Sequence, residues 1–258
     1  MTNLTISIIT AVLNRRDTLS SCIESVLGQD YPIVEHIIID GGSTDGTLKV
    51  IRSYQDKISR WISEPDSGLY DAMNKGIRLA TGDVIGILNS DDYYTDRSAL
   101  STVAECLKKK VDSCYGDIDY VDDCSDGNPV RAWHAGEYHR NRFKWGWMPP
   151  HPTFFARRAL YEKYGLFNLD FKLAADYELM LRFLYKHHVS ATYIPKCLVT
   201  MRTGGACKPG IANTLSNMAE NYRAWKVNAL RPNPLTFVLK PLSKIGQYAR
   251  FRSVRSKE

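Results

Sequence analysis

The chain has 258 residues and a mass of 29.3 kDa, which suits one large α/β domain with or without an extension and excludes a long multidomain protein. With 44% hydrophobic and 24% charged residues, its composition is that of a soluble globular protein, not of a disordered or fibrous one. The sequence shows neither an apolar run of membrane-spanning length nor a secretory signal, and its six cysteines form no C-x-x-C pair. We therefore expect reduced thiols and a cytoplasmic location.

Positive charge is concentrated at the C terminus. The whole chain carries +6, but from Lys226 onward eight basic residues stand against the single acid Glu258, a net +7, so the first 225 residues carry −1. A nearly neutral body is not typical of a nucleic-acid-binding protein, and we expect no nucleic-acid partner. In the basic tail, apolar residues from Leu235 to Tyr248 interleave with lysine and arginine. This tail is either an amphipathic segment that lies on the anionic inner face of the cytoplasmic membrane or a helix packed on the body.

Strand-like apolar segments alternate with amphipathic helical segments in the first third of the chain. Strands are predicted at 4–10, 34–40, 58–63 and 84–88, and helices at 19–27, 45–54 and 69–80. This alternation predicts βαβ units with right-handed crossovers, and hence a doubly wound, mostly parallel α/β sheet with helices on both faces. In such a sheet the ligand binds beyond the C-terminal ends of the strands.

Acidic side chains follow three of the predicted strands and should converge on one edge of the sheet: Asp40, Asp66, Asp91 and Asp92. Carboxylates placed so closely repel one another unless a cation or hydrogen-bond donors gather them. Asp91 and Asp92 suit Mg²⁺ or Mn²⁺, which keep coordination positions open for the oxygens of a diphosphate. The alternative for this pair is a helix cap or an Asx turn.

The segment 40–47 is rich in turn-forming residues and opens a helix. A tight turn capped by Ser43 or Asp45 accounts for this composition, and Asp40 can accept a hydrogen bond from a ligand at the same time. The chain has no P-loop, and no G-x-G-x-x-G follows its first strand, which makes kinases, small GTPases and NAD-dependent dehydrogenases poor candidates. The segment 10–16 also does not supply the Gly-rich loop expected after the first strand of a nucleotide-sugar pyrophosphorylase.

Four segments, in this order, resemble the motifs of family 2 glycosyltransferases: Ser7–Asn14, Ile39–Thr47, Asp66–Gly76 and Thr81–Asp92. The resemblance covers about residues 4–200 and implies a GT-A fold, a nucleotide-sugar donor, a divalent metal ion and inversion at the anomeric carbon. We accordingly expect a GT-A domain at 1–209, with a nucleotide-binding half at about 1–95 and an acceptor half at about 96–209. A helical, basic C-terminal extension at 210–258 completes the expected domain plan.

The resemblance implies roles for residues that contact the nucleotide sugar. Asp40 matches the acid that binds the uracil ring, and Thr10 and Asn14 match the loop that lines the nucleotide. Asp66, in the third motif, is expected in the same nucleotide-sugar site. Lys75 follows on the next helix and is a candidate for balancing phosphate charge, although a solvated helix face is the alternative for it.

The fourth motif ends with the residues expected to hold the metal ion. The segment 89–92 occupies the place of the D-x-D motif of the family, but Asn89 stands where the family has an aspartate. We therefore assign Asp92 as the main ligand of Mn²⁺ or Mg²⁺, with Asp91 shared between the ribose and the metal ion.

The second half of the chain supplies a candidate general base. Displacement of a diphosphate by a sugar hydroxyl needs a base for the hydroxyl proton. Asp176 resembles the base of the family, which lies at the start of a helix after an acceptor-side loop; the alternative is a helix acid favoured by the helix dipole. Trp147 and His151 belong to an aromatic and proline-rich segment that either lines a donor or acceptor pocket or forms a rigid packed turn.

With these motifs, the chain resembles bacterial enzymes that assemble the repeat units of O-antigen and capsular polysaccharide. The expected reaction is a metal-dependent, inverting transfer of a hexose, glucose as the first choice, from a UDP-sugar to a sugar on a lipid diphosphate. Two alternatives are open. One is a non-catalytic nucleotide- or sugar-binding module of the same fold, and the other is a sugar-phosphate nucleotidyltransferase.

Overall fold

The computed structural model describes residues 4–122, 128–203, 211–233 and 236, and the basic tail at 237–258 lies outside the described residues. The strands are β1 (Ile6–Val12), β2 (Val34–Asp40), β3 (Arg60–Ser63), β4 (Val84–Ile87), β5 (Tyr93–Tyr94), β6 (Ser113–Val121), β7 (Arg131–Trp133), β8 (Phe155–Arg157) and β9 (Ala191–Arg202). The α-helices are α1 (Arg16–Leu27), α2 (Thr47–Ser53), α3 (Leu69–Leu79), α4 (Ala99–Leu107), α5 (Arg158–Tyr164), α6 (Ala175–Met180) and α7 (Ile211–Val227). Short 3₁₀ helices span Arg140–Trp145 and His151–Thr153, and the π-helical turn Leu181–Lys186 continues α6.

The strands form one sheet with two kinds of pairing. β3, β2, β1 and β4 are neighbours in this order and run parallel, as the βαβ pattern predicts. β8 then runs antiparallel between β4 and β6, and β6 is parallel to β9. The short strands β7 and β5 pair antiparallel with β6 and β9. The predicted α/β sheet is confirmed, and the strands β1 to β4 from the first half of the chain form its all-parallel part.

Helices cover both faces of the parallel strands because β1 is apolar on both sides. Ile8 shares a buried cluster with Cys22 of α1 on one face, and Ile9 shares another with Met73 of α3 on the opposite face. Gly76 allows α3 to lie directly on β1, since a Cβ at this position would be 2.3 Å from Cγ2 of Ile9. With α1 and α3 packed on the two faces, their first residues lie at the edge of the sheet where the preceding strands end.

The C-terminal helix α7 packs on the same domain. It lies at the start of the helical extension expected at 210–258, and its residues Ala224 and Trp225 are fully buried in one apolar cluster with Tyr177 of α6. The helix therefore completes the hydrophobic core around α6. Within the described ranges, no helix is both long and apolar enough to cross a lipid bilayer.

Candidate active site

The loops after β1 and β2 are tied together by hydrogen bonds. The Asn14 N–H donates to Ser43 Oγ at 2.8 Å, and the Thr44 N–H donates to Asn14 Oδ1 at 2.9 Å. Asn14 has a φ of 52°, a left-handed conformation that asparagine tolerates better than most residues, so it shapes the rim of the site. The Thr10 side chain is instead buried inside the sheet, where its hydroxyl lies 3.1 Å from Nε2 of His36.

Asp40, the last residue of β2, is fully buried. Its Oδ2 accepts hydrogen bonds from Ser63 Oγ at 2.7 Å and from the backbone N–H groups of Ser43 and Gly42 at 3.1 and 3.2 Å. Its Oδ1 is buried without a partner among the described residues. Because buried polar atoms are nearly always hydrogen-bonded, this oxygen at a strand end calls for a donor from outside the described residues, which a ligand group or a water molecule can supply.

Asp66 lies against the turn that follows Asp40. A Cβ added to Gly41 would be 2.3 Å from Asp66 Oδ2, so only glycine leaves room for this carboxylate. The other oxygen of Asp66 accepts from the Gly68 N–H at 2.8 Å, which orients the side chain. The structure thus brings Asp66 beside Asp40, as expected from their places at the ends of neighbouring strands.

Lys75 braces the loop that carries Asp66. Its Nζ lies 2.8 Å from Glu64 Oε1 and donates to the Pro65 carbonyl at 2.9 Å. The hydrogen bond with Glu64 raises the pKa of Lys75 above its ordinary value. The charge of Lys75 is therefore already paired with an acid of the loop.

Asp92 is the buried member of the candidate metal pair. Its Oδ2 accepts from Asn89 Nδ2 at 2.7 Å, and its Oδ1 is buried without a partner among the described residues. Burial, with a further contribution from the charge of Asp91, raises the pKa of Asp92 to about 8. Such a carboxylate is strongly stabilised by a cation. Asp91 is more accessible, and its Oδ2 lies 3.7 Å from Nε of Arg15.

Arg202, the last residue of β9, holds the backbone of the metal pair. Its Nη1 donates to the Asp91 carbonyl at 2.8 Å and its Nη2 to Ser21 Oγ at 3.0 Å, while its guanidinium group lies 4.9 Å above the ring of Tyr93. The pairing of β5 with β9 supports the same turn, because β5 follows Asp92 directly. The position of the metal pair therefore depends on the C-terminal strand as well as on β4.

Asp176, the candidate general base, lies near the start of α6. Its Oδ1 accepts from the hydroxyl of Tyr70 at 3.3 Å, and the Tyr70 ring stacks on Phe167 with centroids 5.5 Å apart. The ring of His151 packs edge-on against Phe167 at 5.9 Å, and its Nε2 is buried without a partner among the described residues. Burial lowers the pKa of His151, and the charge of Asp176 opposes that shift, which places these two groups near each other. Because Tyr70 belongs to the first turn of α3, this cluster adjoins the loop of Asp66.

The structure packs Trp147 into an aromatic cluster. Its Nε1 donates to the Ala135 carbonyl at 2.8 Å, Phe143 contacts its ring edge-on at 5.6 Å, and the guanidinium of Arg142 lies 4.7 Å above it. These contacts describe a packed turn. Trp145, two residues earlier, is 53% exposed.

A metal ion at this edge would take few protein ligands. The described residues contain no group of three or more histidine, cysteine, aspartate or glutamate side chains arranged to hold a metal ion. Mg²⁺ and similar ions are often bound through one or two carboxylates, with water and substrate phosphates in the other positions. The Asp91–Asp92 pair fits such a site.

Comparison with known proteins identifies the family. Residues 7–165 match the model described as Glycosyl transferase family 2. The chain belongs to this family. A PGL/p-HBAD biosynthesis glycosyltransferase of Mycobacterium bovis is 31% identical over 198 residues, a match that covers 72% of this chain and 75% of the relative.

Solved structures of glycosyltransferases share the fold. TarS of S. aureus, solved as residues 1–349 in complex with UDP-GlcNAc, has a TM-score of 0.66 and 19% identity, over 88% of this chain and 66% of that one. The mannosyltransferase PcManGT of Pyrobaculum calidifontis, solved with GDP-Man and Mn²⁺, has a TM-score of 0.61 and 17% identity, over 99% of this chain and 84% of that one. The GT-A fold expected for this family 2 glycosyltransferase is confirmed.

Two site residues of this family 2 glycosyltransferase escape the analysis of its sequence. Asn89 departs from the D-x-D motif, yet its amide donates to Asp92 and orients that side chain. In the sequence, only the separation of three residues between them indicates this contact. Arg202 contacts Asp91 across 111 residues of sequence, and no local pattern indicates such a contact.

Proposed function

We propose that this glycosyltransferase moves a hexose, glucose as the first choice, from a UDP-sugar to a sugar carried on a lipid diphosphate, with inversion at the anomeric carbon. One observation carries the proposal. Asp40 and Asp92 follow β2 and β4, on either side of β1, and each has one buried carboxylate oxygen without a partner among the described residues. A uracil N–H and a divalent cation on the donor diphosphate would satisfy the two oxygens together.

Asp40 supports a uridine nucleotide. A carboxylate accepts hydrogen bonds and does not donate them, and the uracil ring offers one N–H between two carbonyl groups. Three donors fix Oδ2 of Asp40, so Oδ1 is held in a defined place for that N–H. Asp66, beside the same turn, supplies further acceptors for the hydroxyl groups of the nucleotide sugar. TarS, solved in complex with UDP-GlcNAc, is consistent with this choice of nucleotide.

Mn²⁺ or Mg²⁺ would be held by Asp92 with the help of Asp91. Asp92 Oδ1 fits this role because it is buried without a partner among the described residues, and because burial and the charge of Asp91 raise the pKa of Asp92 more than Asn89 and Arg202 lower it. When bound, such an ion neutralises the charge that develops on the departing diphosphate. Asn89 and Arg202 keep the side chain of Asp92 and the backbone of Asp91 in place.

Asp176 is the proposed general base. It takes the proton of the acceptor hydroxyl while the hydroxyl oxygen forms its bond to the anomeric carbon and the bond from that carbon to the diphosphate breaks. Attack opposite the leaving group inverts the configuration, so an α-linked donor gives a β-linked product. The hydrogen bond from Tyr70 orients the carboxylate, and the Nε2 of His151 is available to an acceptor hydroxyl.

The acceptor and the location are proposed from the charge of the tail and from a relative. The net +7 from Lys226 onward suits a surface of anionic lipids, where a lipid-linked acceptor would be anchored. The M. bovis relative is named for PGL/p-HBAD biosynthesis, which supports a role for this chain in a biosynthetic pathway. We place the enzyme at the inner face of the cytoplasmic membrane, in assembly of an O-antigen or capsule repeat unit.

The test is a screen of UDP-hexoses against a synthetic sugar-diphosphate-lipid, with UDP release and product linkage by NMR as readouts. We expect acceptor-dependent UDP release and a β-linked product from an α-linked donor. Asp176→Asn should lower turnover by about 10²–10⁴ with UDP binding retained, whereas Asp170→Asn, which changes an exposed acid nearby, should not. Pyrophosphate release from a nucleoside triphosphate would favour a nucleotidyltransferase. UDP binding without transfer from any donor would favour a binding module, and an α-linked product would exclude inversion.

A further inference from the structure

Helix α7 contacts the chain on both sides of Asp176. Glu220, at the centre of the helix, contacts the three residues at 172–174, directly before α6. Trp225 donates from Nε1 to the hydroxyl of Tyr177 at 2.9 Å, and Asn228, just beyond the helix, donates from Nδ2 to Glu178 Oε1 at 2.9 Å. Helix α7 and Asn228 thus hold the chain both before Asp176, at 172–174, and after it, at Tyr177 and Glu178.

Glu220 holds the backbone that leads into α6. The helix begins after Ala174, whose side chain offers no cap, so the segment directly before it is held by a carboxylate from α7. Glu220 Oε1 accepts from the Lys172 N–H at 3.0 Å, and its Oε2 accepts from the N–H groups of Leu173 and Ala174, each at 2.8 Å. Hydrogen bonds to an ionised carboxylate are stronger than neutral ones, so these three bonds hold the backbone at 172–174 firmly.

A second set of buried polar contacts holds the part of α6 that follows Asp176. Glu178 is 3% exposed and pairs with Arg182, with Oε2 to Nη2 at 2.9 Å. Arg182 in turn donates to the carbonyl groups of three consecutive residues, 164–166, which lead to Phe167 beneath Tyr70 and His151. The backbone around Asp176 is therefore fixed at both of its ends, and the fixed segment reaches the aromatic rings of the acceptor side.

We propose that Glu220 is a positioning residue for the general base: its carboxylate fixes the backbone at 172–174 and thereby the approach of Asp176 to the acceptor hydroxyl. This inference rests on the proposed function, since it takes Asp176 as the base. In this proposal α7 increases the rate of transfer, because Glu220 belongs to that helix. The hydrogen bonds of Glu220 go to the backbone at 172–174 and not to the candidate donor-site residues, so its replacement should leave donor binding unchanged.

The test compares Glu220→Gln and Glu220→Ala with Arg223→Ala, a control on α7 that removes contacts with the exposed Asp170 and with the ring of Phe171. We expect each Glu220 variant to lower kcat by about tenfold to a hundredfold, because a small misplacement of a catalytic group has a cost of this order. The KM for the UDP-sugar and the Kd for UDP should not change. In hydrogen exchange, the amides of 172–174 should exchange faster in Glu220→Gln.

A double-mutant comparison separates positioning from general stability. In the Asp176→Asn background, Glu220→Gln should have no further effect on turnover, because no base remains to be positioned. A wild-type kcat for Glu220→Gln, or the same loss with and without Asp176, would overturn the inference. If Glu220→Ala does not fold, the milder glutamine variant decides. Wild-type turnover by Asp176→Asn alone would instead refute the proposed base.

Discussion

Asp40 and Asp92 share an unusual arrangement, in which one carboxylate oxygen is bound by the protein and the other is buried without a partner among the described residues. Each side chain is held in one orientation by the protein, with one acceptor oxygen that no described residue satisfies. Substitutions of these two residues therefore test the proposed donor site most directly.

Replacement of Asp40 should weaken UDP binding. Loss of a hydrogen bond to a charged group costs about 1.5–3 kcal/mol, so Asp40→Ala should raise the Kd for UDP about tenfold or more. Isothermal calorimetry measures this directly. Asp56→Ala, which removes an exposed acid beyond α2, is the control for the change in net charge. An unchanged UDP affinity in Asp40→Ala would contradict the assignment of this residue.

Replacement of Asp92 should abolish metal-dependent turnover and leave the fold intact. Asn89→Ala should have a smaller effect, a loss of about 10–100-fold in metal affinity, because it removes only the amide that orients Asp92. Turnover is measured against Mn²⁺ and Mg²⁺ concentration, with circular dichroism as the check on folding. Full activity in EDTA, or in Asp92→Ala, would exclude the proposed metal site.

The acids of this site can be predicted from the sequence because a simple rule governs their placement: parallel strands end at one edge. Asp40, Asp66 and Asp92 lie at or after the ends of strands whose apolar patterns are easily recognised. Glu220 and Arg202 cannot be predicted in this way, because their partners are 46 or more residues away and the contacts depend on how α7 and β9 pack. The interior place of the Thr10 hydroxyl also depends on packing, since it results from the contact with His36 across two strands.

At the scale of the elements, the contact between α3 and β1 has no spare room. In Gly76→Ala the new Cβ would be 2.3 Å from Cγ2 of Ile9, a β-branched side chain that is buried and cannot turn away. We expect the variant to lose about 1–3 kcal/mol of unfolding free energy, as overpacked cores do. Urea unfolding measures the change. Arg78→Ala, on the exposed side of the same helix, should stay within about 0.5 kcal/mol of wild type, and equal stability of both variants would contradict the packing.

The middle of β2 contains a histidine that must stay neutral in the folded protein. His36 is 2% exposed, and burial lowers its pKa from 6.5 to about 4. Above pH 6.5 neither the folded nor the unfolded chain protonates it. As the pH falls from 6.5 towards 4, the unfolded chain binds a proton first, so stability is lost over this interval, by about 3 kcal/mol in total.

Removal of this histidine should flatten the pH dependence of stability. In His36→Leu, the free energy of unfolding should fall less between pH 7 and pH 4 than in wild type, by about the 3 kcal/mol assigned to His36. Urea titrations at a series of pH values give the difference. His139→Gln, at an exposed position, should retain the wild-type dependence. Parallel curves for wild type and His36→Leu would show that this side chain is not the cause.

At the scale of the whole molecule, the basic tail is the proposed point of contact with the membrane. Thr236 is buried and its hydroxyl donates to the Lys144 carbonyl at 2.5 Å, so a chain that ends at Thr236 keeps this contact and removes six basic residues and Glu258. We expect this truncation to bind anionic vesicles more weakly, and we expect added salt to release the intact protein. Vesicle sedimentation measures both effects. Equal binding by the two forms would favour a tail that packs on the body.

The pairing of β5 with β9 also determines when, during synthesis of the chain, the candidate metal pair becomes held in place. Tyr93 and Tyr94, next to the metal pair, are bonded to residues about a hundred positions later, and Arg202 reaches back to Asp91 from the end of β9. Pairings so distant in sequence form late in folding. A nascent chain that has left the ribosome only as far as β6 lacks the strand and the guanidinium group that hold Asp91. The proposed donor site therefore gains the contacts that hold Asp91 only when β9 has emerged, and a truncated translation product would carry the strand-end acids without those contacts.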